Sequence, residues 1–339
     1  MNRTQMSIAC AGGIAAISLV SACSGSQGST PSITDSATQS RSIADMARSG
    51  GLPRFGRFGD ASISHHQVSQ ARGAADLFVS DADNDAVDVL ANKTWKYLTG
   101  ITTGIGGPDG SFVAKGKFYV ANYIGVSVTE YSSPTELTYT YDAGMIDPID
   151  VTVDSHGNVY EADYNYQGSL AGFVNEYRQG SNSVVATCSP GGGIEGVAVD
   201  KHGDVFADYN TSSAGPGAIV EYHRGLGKCK AKVLPITLSF AGGMAIDGAG
   251  NLLVCDQDNA AIDVIPPPYA KVSTTFGSGY TDPFHITINK KNTRAYVADY
   301  STGEVYVLKY PSGTNVAKLG SGNGIGAAWA AVDRNNYVP

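Results

Sequence analysis

Charge is scarce in this chain of 339 residues, of which 16% are Asp, Glu, Lys or Arg, and nowhere do Lys and Arg gather into a run. The formal net charge is −8. The basic stripe that supplies most nucleic-acid affinity is therefore missing, and no nucleic-acid partner is expected. GxSxG, CxxC and a phosphate loop are absent as well, so nucleophilic serine catalysis and nucleotide binding find no support. "GSGNGIG", Gly320 to Gly326, has the composition of a glycine-rich loop but sits between strands with no helix after it. Paired histidines at metal-ligand spacing are also missing. Long apolar runs are confined to one stretch, Met6 to Ala22.

That stretch follows Arg3 and ends in small residues before Cys23, the order of a secretory signal. It is shorter than the roughly 20 apolar residues of a spanning helix and is broken by glycine. "LVSAC", Leu19 to Cys23, resembles the bacterial lipobox, which implies a signal over 1–22 and acylation of Cys23. The expected address is the bacterial cell envelope, lipid-anchored and facing the outer membrane or periplasm. From 23 to 73 the composition turns to Ser, Thr, Gln, Gly and Ala with no apolar periodicity, as expected of a flexible linker.

What the chain has in quantity is glycine, 42 residues, and tyrosine, 19 against 10 phenylalanines. Many turns joining half-buried strands explain both. After residue 73 six segments share one strand-like pattern ending in Asp or Asn: "DLFVSD", "KFYVAN", "NVYEAD", "DVFADY", "LLVCD" and "RAYVAD". Their reference residues Phe78, Tyr119, Tyr160, Phe206, Leu253 and Tyr296 are 41, 41, 46, 47 and 43 residues apart. Apolar strands such as "VTVD" or "MAID" precede them and strands such as "FVNEYRQG" or "IVEYHRG" follow. Three strands are visible per unit, and a less regular fourth completes a four-stranded blade. The fold class expected over 74–339 is all-β, a six-bladed propeller. The first blade lacks an inner strand, and the C-terminal "AAWAAVDRNNYV" supplies it, closing the ring and satisfying its edge.

The units resemble NHL-repeat and related six-bladed propellers, whose repeat runs from a small-apolar strand through Asp and a Gly turn to an "iYVAD" strand. Metal-dependent lactonases of the senescence-marker type, amidating lyases and streptogramin lyases are similar propellers. The resemblance implies acids or histidines around a central mouth.

Repetition separates structural acids from candidates for function. Asp154 recurs as Asp200, Asp247, Asn289 and Asp333, each opening a turn, with His156 and His202 as solvated turn residues. Asp163 recurs as Asp81, Asn122, Asp208, Asp256 and Asp299 at the end of the second strand. The position four before the turn acid does not repeat: Gly110, Asp150, Gly196, Gly243, His285 and Trp329. These should surround one channel mouth together with Asp109, Asp147 and Glu195, rimmed by Tyr123, Tyr164, Tyr209 and Tyr300. Such a set suits a glycan or a polar peptide by stacking and hydrogen bonding. Asp150, Glu195 and His285 are the candidates for holding a divalent cation, Ca or Zn, and for catalysis. Three functions stay open at this point: a non-catalytic lipoprotein that binds a glycan, peptide or protein at the channel mouth, a metal-dependent lactonase or lyase, and a purely structural surface protein. Cys188 and Cys229 form a candidate disulfide, while Cys255 in an apolar strand reads as a buried thiol. Glu161, mid-strand, is expected to face a neighbouring blade.

Overall fold

A computed structural model describes residues 76–338 apart from 92, 134–135, 165–170 and 213. The signal over 1–22, the acylation site Cys23 and the linker over 23–73 lie outside the described residues. Among those described, six antiparallel sheets of four strands account for every strand. Numbering blades from the N-terminus, the inner strands are Ala328–Asp333, Pro108–Ala114, Pro148–Val153, Val197–Val199, Ala241–Ile246 and Pro283–Ile288. Each touches the next and the sixth touches the first, so the sheets form a ring. The chain is a six-bladed β-propeller.

Burial explains the sequence pattern. Second strands such as Asp76–Asp81 and Val159–Asp163 lie between two neighbouring blades; all five residues of Val159–Asp163 are buried. A strand covered on both faces reads as a continuous apolar run. Outer strands are half exposed, and Glu136–Tyr141 alternates between solvent and core. Most of the buried apolar surface among the described residues lies in the seams rather than at the axis. Each seam between adjacent blades has its own cluster, such as Leu77, Val79 and Leu90 of blade 1 against Tyr296, Val305 and Val307 of blade 6. Tyrosine exceeds phenylalanine because the ring fills a seam while the hydroxyl ties a loop: Tyr131, Tyr177 and Tyr306 donate to the carbonyls of Thr103, Ala143 and Gly279 at 2.7, 2.7 and 2.6 Å.

Both sets of recurring acids do backbone work. Asp154 Oδ1 accepts from the amides of His156, Gly157 and Asn158, and Asp200, Asp247, Asn289 and Asp333 hold their own turns in the same way. The acids that end the second strands reach the loop before the inner strand of the same blade. Asp163 accepts from the amides of Ile146 and Asp147, Asp299 from Thr281 and Asp282, and Asp208 from Glu195 and Gly196. In blade 1 this clamp joins the two ends of the chain, Asp81 accepting from Gly326 and Ala327 at 2.6 and 3.0 Å. A carboxylate on two buried amides satisfies donors that are expensive to leave bare, about 1–3 kcal/mol each.

Glu161 lies on the same face of its strand as Val159, which packs in the seam with blade 2, and its Oε2 accepts from Asn175 Nδ2 at 3.0 Å on the third strand of its own blade. Cys188 and Cys229 are joined by a disulfide. Both follow the third strands of adjacent blades: Cys188 ends the outer strand Val184–Cys188, and Cys229 lies in the turn before the outer strand of blade 4. The bond staples two blades at their rim. Cys255 is a buried free thiol.

Candidate functional site

The six unrepeated positions form a ring around the axis, and three of them are glycine. A side chain at Gly110 would run into Asp150, whose Cα is 2.6 Å from the added carbon; one at Gly196 would meet the Cα of Gly243 at 2.8 Å, and one at Gly243 the Cα of His285 at 3.1 Å. Inner strands converge here, and their backbones approach within the radius of a methyl group. The space that glycine leaves is taken by the large members of the ring. Asp150 of blade 3 and His285 of blade 6, on opposite sides of the ring, meet across the axis with Oδ1 and Nε2 3.2 Å apart. Both are nearly fully buried. The Asp150 carboxylate also accepts from Val151 N at 2.8 Å and, through Oδ2, from Val197 N of the next blade at 3.1 Å.

Two further acids border this pair. Glu195 is buried, and its Oε2 accepts from Gln257 Nε2 at 2.9 Å. Asp109 is 0% exposed, and neither carboxylate oxygen has a hydrogen-bond partner. Burial first, then the charges of Asp150 and Glu195, push its pKa well above the ordinary carboxylate range; the nearby Gly110 amide opposes this weakly and makes no hydrogen bond of good geometry. Burial likewise raises Glu195, with Asp208 adding to it and Gln257 opposing. Asp282, at the entry to the blade 6 inner strand, is pushed up to about 6 by burial, against the Ser301 hydroxyl and with the help of Asp299 and Asp258. This end of the axis is thus a nest of desolvated acids.

Rings close it. Tyr123, Tyr164, Ile149, Phe284 and Trp329 form one buried cluster, with Tyr300 packed against it. Tyr300 stands 6.0 Å from Trp329 and 6.2 Å from Phe284, ring centre to ring centre, and keeps part of its surface in solvent. Of the four tyrosines expected at the rim, Tyr123, Tyr164 and Tyr300 come together. Tyr209 does not join them and packs on the seam between blades 3 and 4. Phe284 and Gln257 are members that the sequence reading missed. Gln257 carried a signal, because it follows the recurring Asp or Asn where blades 2, 3, 4 and 6 have tyrosine.

A void lies on the other side of the Asp150–His285 pair. It occupies about 400 Å³ counting its opening, runs down the axis between Val151, Val199, Ile246 and Ile288, and ends beside Asn336 and Tyr337 of the C-terminal tail. His285 Nδ1 and Asn336 Oδ1 border it without hydrogen-bond partners. The axis therefore has an acidic, ring-covered end and an apolar channel, with the Asp–His contact as the partition.

Metal ligation needs donor atoms that converge. Asp150, Glu195 and His285 do not converge as a trio. Among the described residues the group whose ligand atoms all lie within 4.8 Å of one another is Asp204, Glu221 and His223, on the outside of blade 4. There His223 sits 2.9 Å from Asp204 and Glu221 is engaged by Lys232 at 2.8 Å.

No protein family matches the chain, and no curated protein matches it. Solved structures do. A chain of a nidogen/laminin complex superimposes with a TM-score of 0.60 over 77% of this chain and 98% of its own, at 14% identity. A protein of unknown function from Bacteroides caccae gives 0.59 over 77% and 99%, at 11% identity. Hydrazine synthase from Kuenenia stuttgartiensis gives 0.54 over 70% and 81%, at 15% identity. The likeness is one of fold. Propellers of this kind take ligands and partners of many chemistries, so function has to be argued from the site.

The buried acids make a pH prediction whose sign is fixed. Asp109 has a native pKa above its unfolded value of about 4, so between those values the folded chain holds a proton that the unfolded chain releases, and stability falls as pH rises through that window. Asp109→Asn removes the titration and keeps the shape. In urea unfolding the variant is expected to be about 1–3 kcal/mol more stable than wild type at pH values above the window and equal to it below about pH 4. Equal stability at all pH values would mean that Asp109 pays no desolvation cost.

Proposed function

We propose that this chain is an exported, lipid-anchored propeller of the bacterial cell envelope that binds a glycan or peptide at the acidic, aromatic end of its axis. The supporting observation is Asp109: a carboxyl group fully buried, with no hydrogen bond of good geometry to either oxygen, among acids and rings. A fold gains nothing from such a group, since an apolar residue of similar volume would be more stable there. Unfavourable polar burial of this kind is concentrated at functional sites. Tyr300, half-buried and packed against the buried Trp329, offers a ring face for a sugar or a side chain, and the buried Asp109 and Glu195 are acceptors for a ligand that reaches them with donors.

Binding fits this geometry better than metal-dependent lactonase or lyase chemistry. Asp150 is already engaged by two backbone amides and His285, and Glu195 by Gln257. The test is to probe the unlipidated chain against oligosaccharide and peptide arrays, alongside Tyr300→Ala and Asp109→Asn. Ligands held by wild type should be lost or weakened at least about tenfold in both variants, with unchanged circular dichroism. Undiminished binding by both variants would remove this end of the axis as the site.

A further inference from the structure

Lysine and arginine are distributed unevenly along the blades. In each blade the inner strand runs from the acidic, aromatic end to the opposite end, and the turn that follows it lies around the other opening of the channel. Those turns carry Lys115, Lys201, Lys290, Lys291 and Arg334, all exposed. Among the described residues every other lysine and arginine except Lys318 stands in a turn between the third and outer strands, at this same end of the ladders, or on a strand residue adjoining these turns. Lys318 is on an outer strand and is paired with Glu304. The loops at the opposite end contain no lysine or arginine and expose Asp83, Asp85, Asp142 and Asp258.

Acids do occur at the basic end, but most are occupied internally. Asp154, Asp247 and Asp333 are buried and accept hydrogen bonds from their own turns. The charge facing solvent there is positive although the whole chain is at −8. The chain also enters the ring at this end: Asp76 begins the second strand of blade 1, where Leu77 pairs with Asp333 and Arg334 follows.

We infer that the end of the propeller carrying Lys115, Lys201, Lys290, Lys291 and Arg334 docks on anionic phospholipid headgroups and turns the acidic, aromatic end away from the membrane. The orientation rests on the proposed anchor at Cys23, because a linker from Cys23 to Asp76 leads to the basic end. The docking itself rests only on the charge. Clustered lysines near an anionic bilayer add attraction residue by residue and lose it when salt shortens the screening length. Folded this way, the chain presents its ligand-binding end to the space beyond the bilayer and keeps a repulsive acidic surface from folding back onto it.

The experiment uses the chain from residue 23 onward with Cys23→Ser, so that no lipid contributes, in co-sedimentation with vesicles of phosphatidylcholine alone or mixed with phosphatidylglycerol. Binding is expected only to the mixed vesicles and should disappear at high salt. Lys290→Glu with Lys291→Glu should weaken it at least about tenfold, while Asp83→Asn with Asp85→Asn at the opposite end should not weaken it. Absence of binding to the mixed vesicles, or binding indifferent to the lysine reversals, overturns the proposal. So does tighter, equally salt-sensitive binding to a sulfated polysaccharide, which would make the basic end a polysaccharide surface. Acylation is read separately, by incorporation of labelled palmitate into the wild-type chain but not into Cys23→Ser. Failure of docking with acylation intact leaves the anchor standing, and the reverse result leaves the docking surface standing.

Discussion

Deleting the chain after Ile325 is expected to abolish cooperative folding. The deletion removes the inner strand Ala328–Asp333, which pairs with Asp76–Asp81 along its length, and with it the two amides that Asp81 clamps. The effect is larger than the loss of one edge strand elsewhere, because blade 1 contributes to two seams. Ala328 and Ala331 belong to the seam with blade 6, and Val332 to the seam with blade 2. Without them Leu77, Phe78, Val79, Val87, Val89 and Leu90 each lose part of their cover. At about 1 kcal/mol or more for each side chain half uncovered, the sum reaches the roughly 5–15 kcal/mol that a domain has in total. A far-UV thermal melt should show no sigmoidal transition, and the soluble yield should collapse. A truncated chain that melts cooperatively near the wild-type temperature would show that the ring does not need its closure.

The second large effect is expected at the axis. In Gly110→Ala the added carbon meets the Cα of Asp150 at 2.6 Å and the Ile149 carbonyl oxygen at 2.7 Å. Both are backbone atoms, so no rotamer change relieves the clash, and the inner strands of blades 2 and 3 have to separate. Overpacking against atoms that cannot yield costs about 3 kcal/mol or more. Separation would also move Asp150 from His285 and Val197 N, so the loss includes hydrogen bonds of a buried carboxylate. Urea unfolding should read the destabilisation, and the His285 ring resonances should shift in the same variant. Gly180→Ala serves as the control: it has a positive φ of 69° but open space around the added carbon, and should cost about 1 kcal/mol. A Gly110→Ala chain as stable as wild type would mean that the axis is not packed backbone to backbone.

The blade pattern could be read from the sequence because its causes are local and repeated. Asp154 binds amides two to four residues away, and a covered second strand needs an apolar run wherever it occurs. Six copies of the same local problem leave six copies of the same solution, including the closing strand at the C-terminus. The turn acids and the strand-end acids were separable from the unrepeated set for the same reason. The site was legible only as a list of positions. Which of them would touch, and which side of them would be empty, left no local trace. Asp150 and His285 are 135 residues apart in sequence, and their contact depends on glycine at Gly110, Gly196 and Gly243 giving up room around the ring. Tyr209 was counted with the rim because its place after a strand-end Asp matches that of Tyr123 and Tyr164. The second strand of blade 4 runs on to Asn210, and Tyr209 turns to a seam instead.

By itself, then, the sequence determined the blade, its number and its closure, since hydrogen bonds within a turn and burial within a strand are short-range and recur with the repeat. Only the tertiary structure decided that three glycines let Asp150 and His285 meet and partition the axis, that Asp109 is buried without a hydrogen bond of good geometry, and that the void opens on the other side. Those features arise where six strands from distant parts of the chain converge on one line, and the space each residue receives there is set by its neighbours in the ring rather than by its neighbours in sequence.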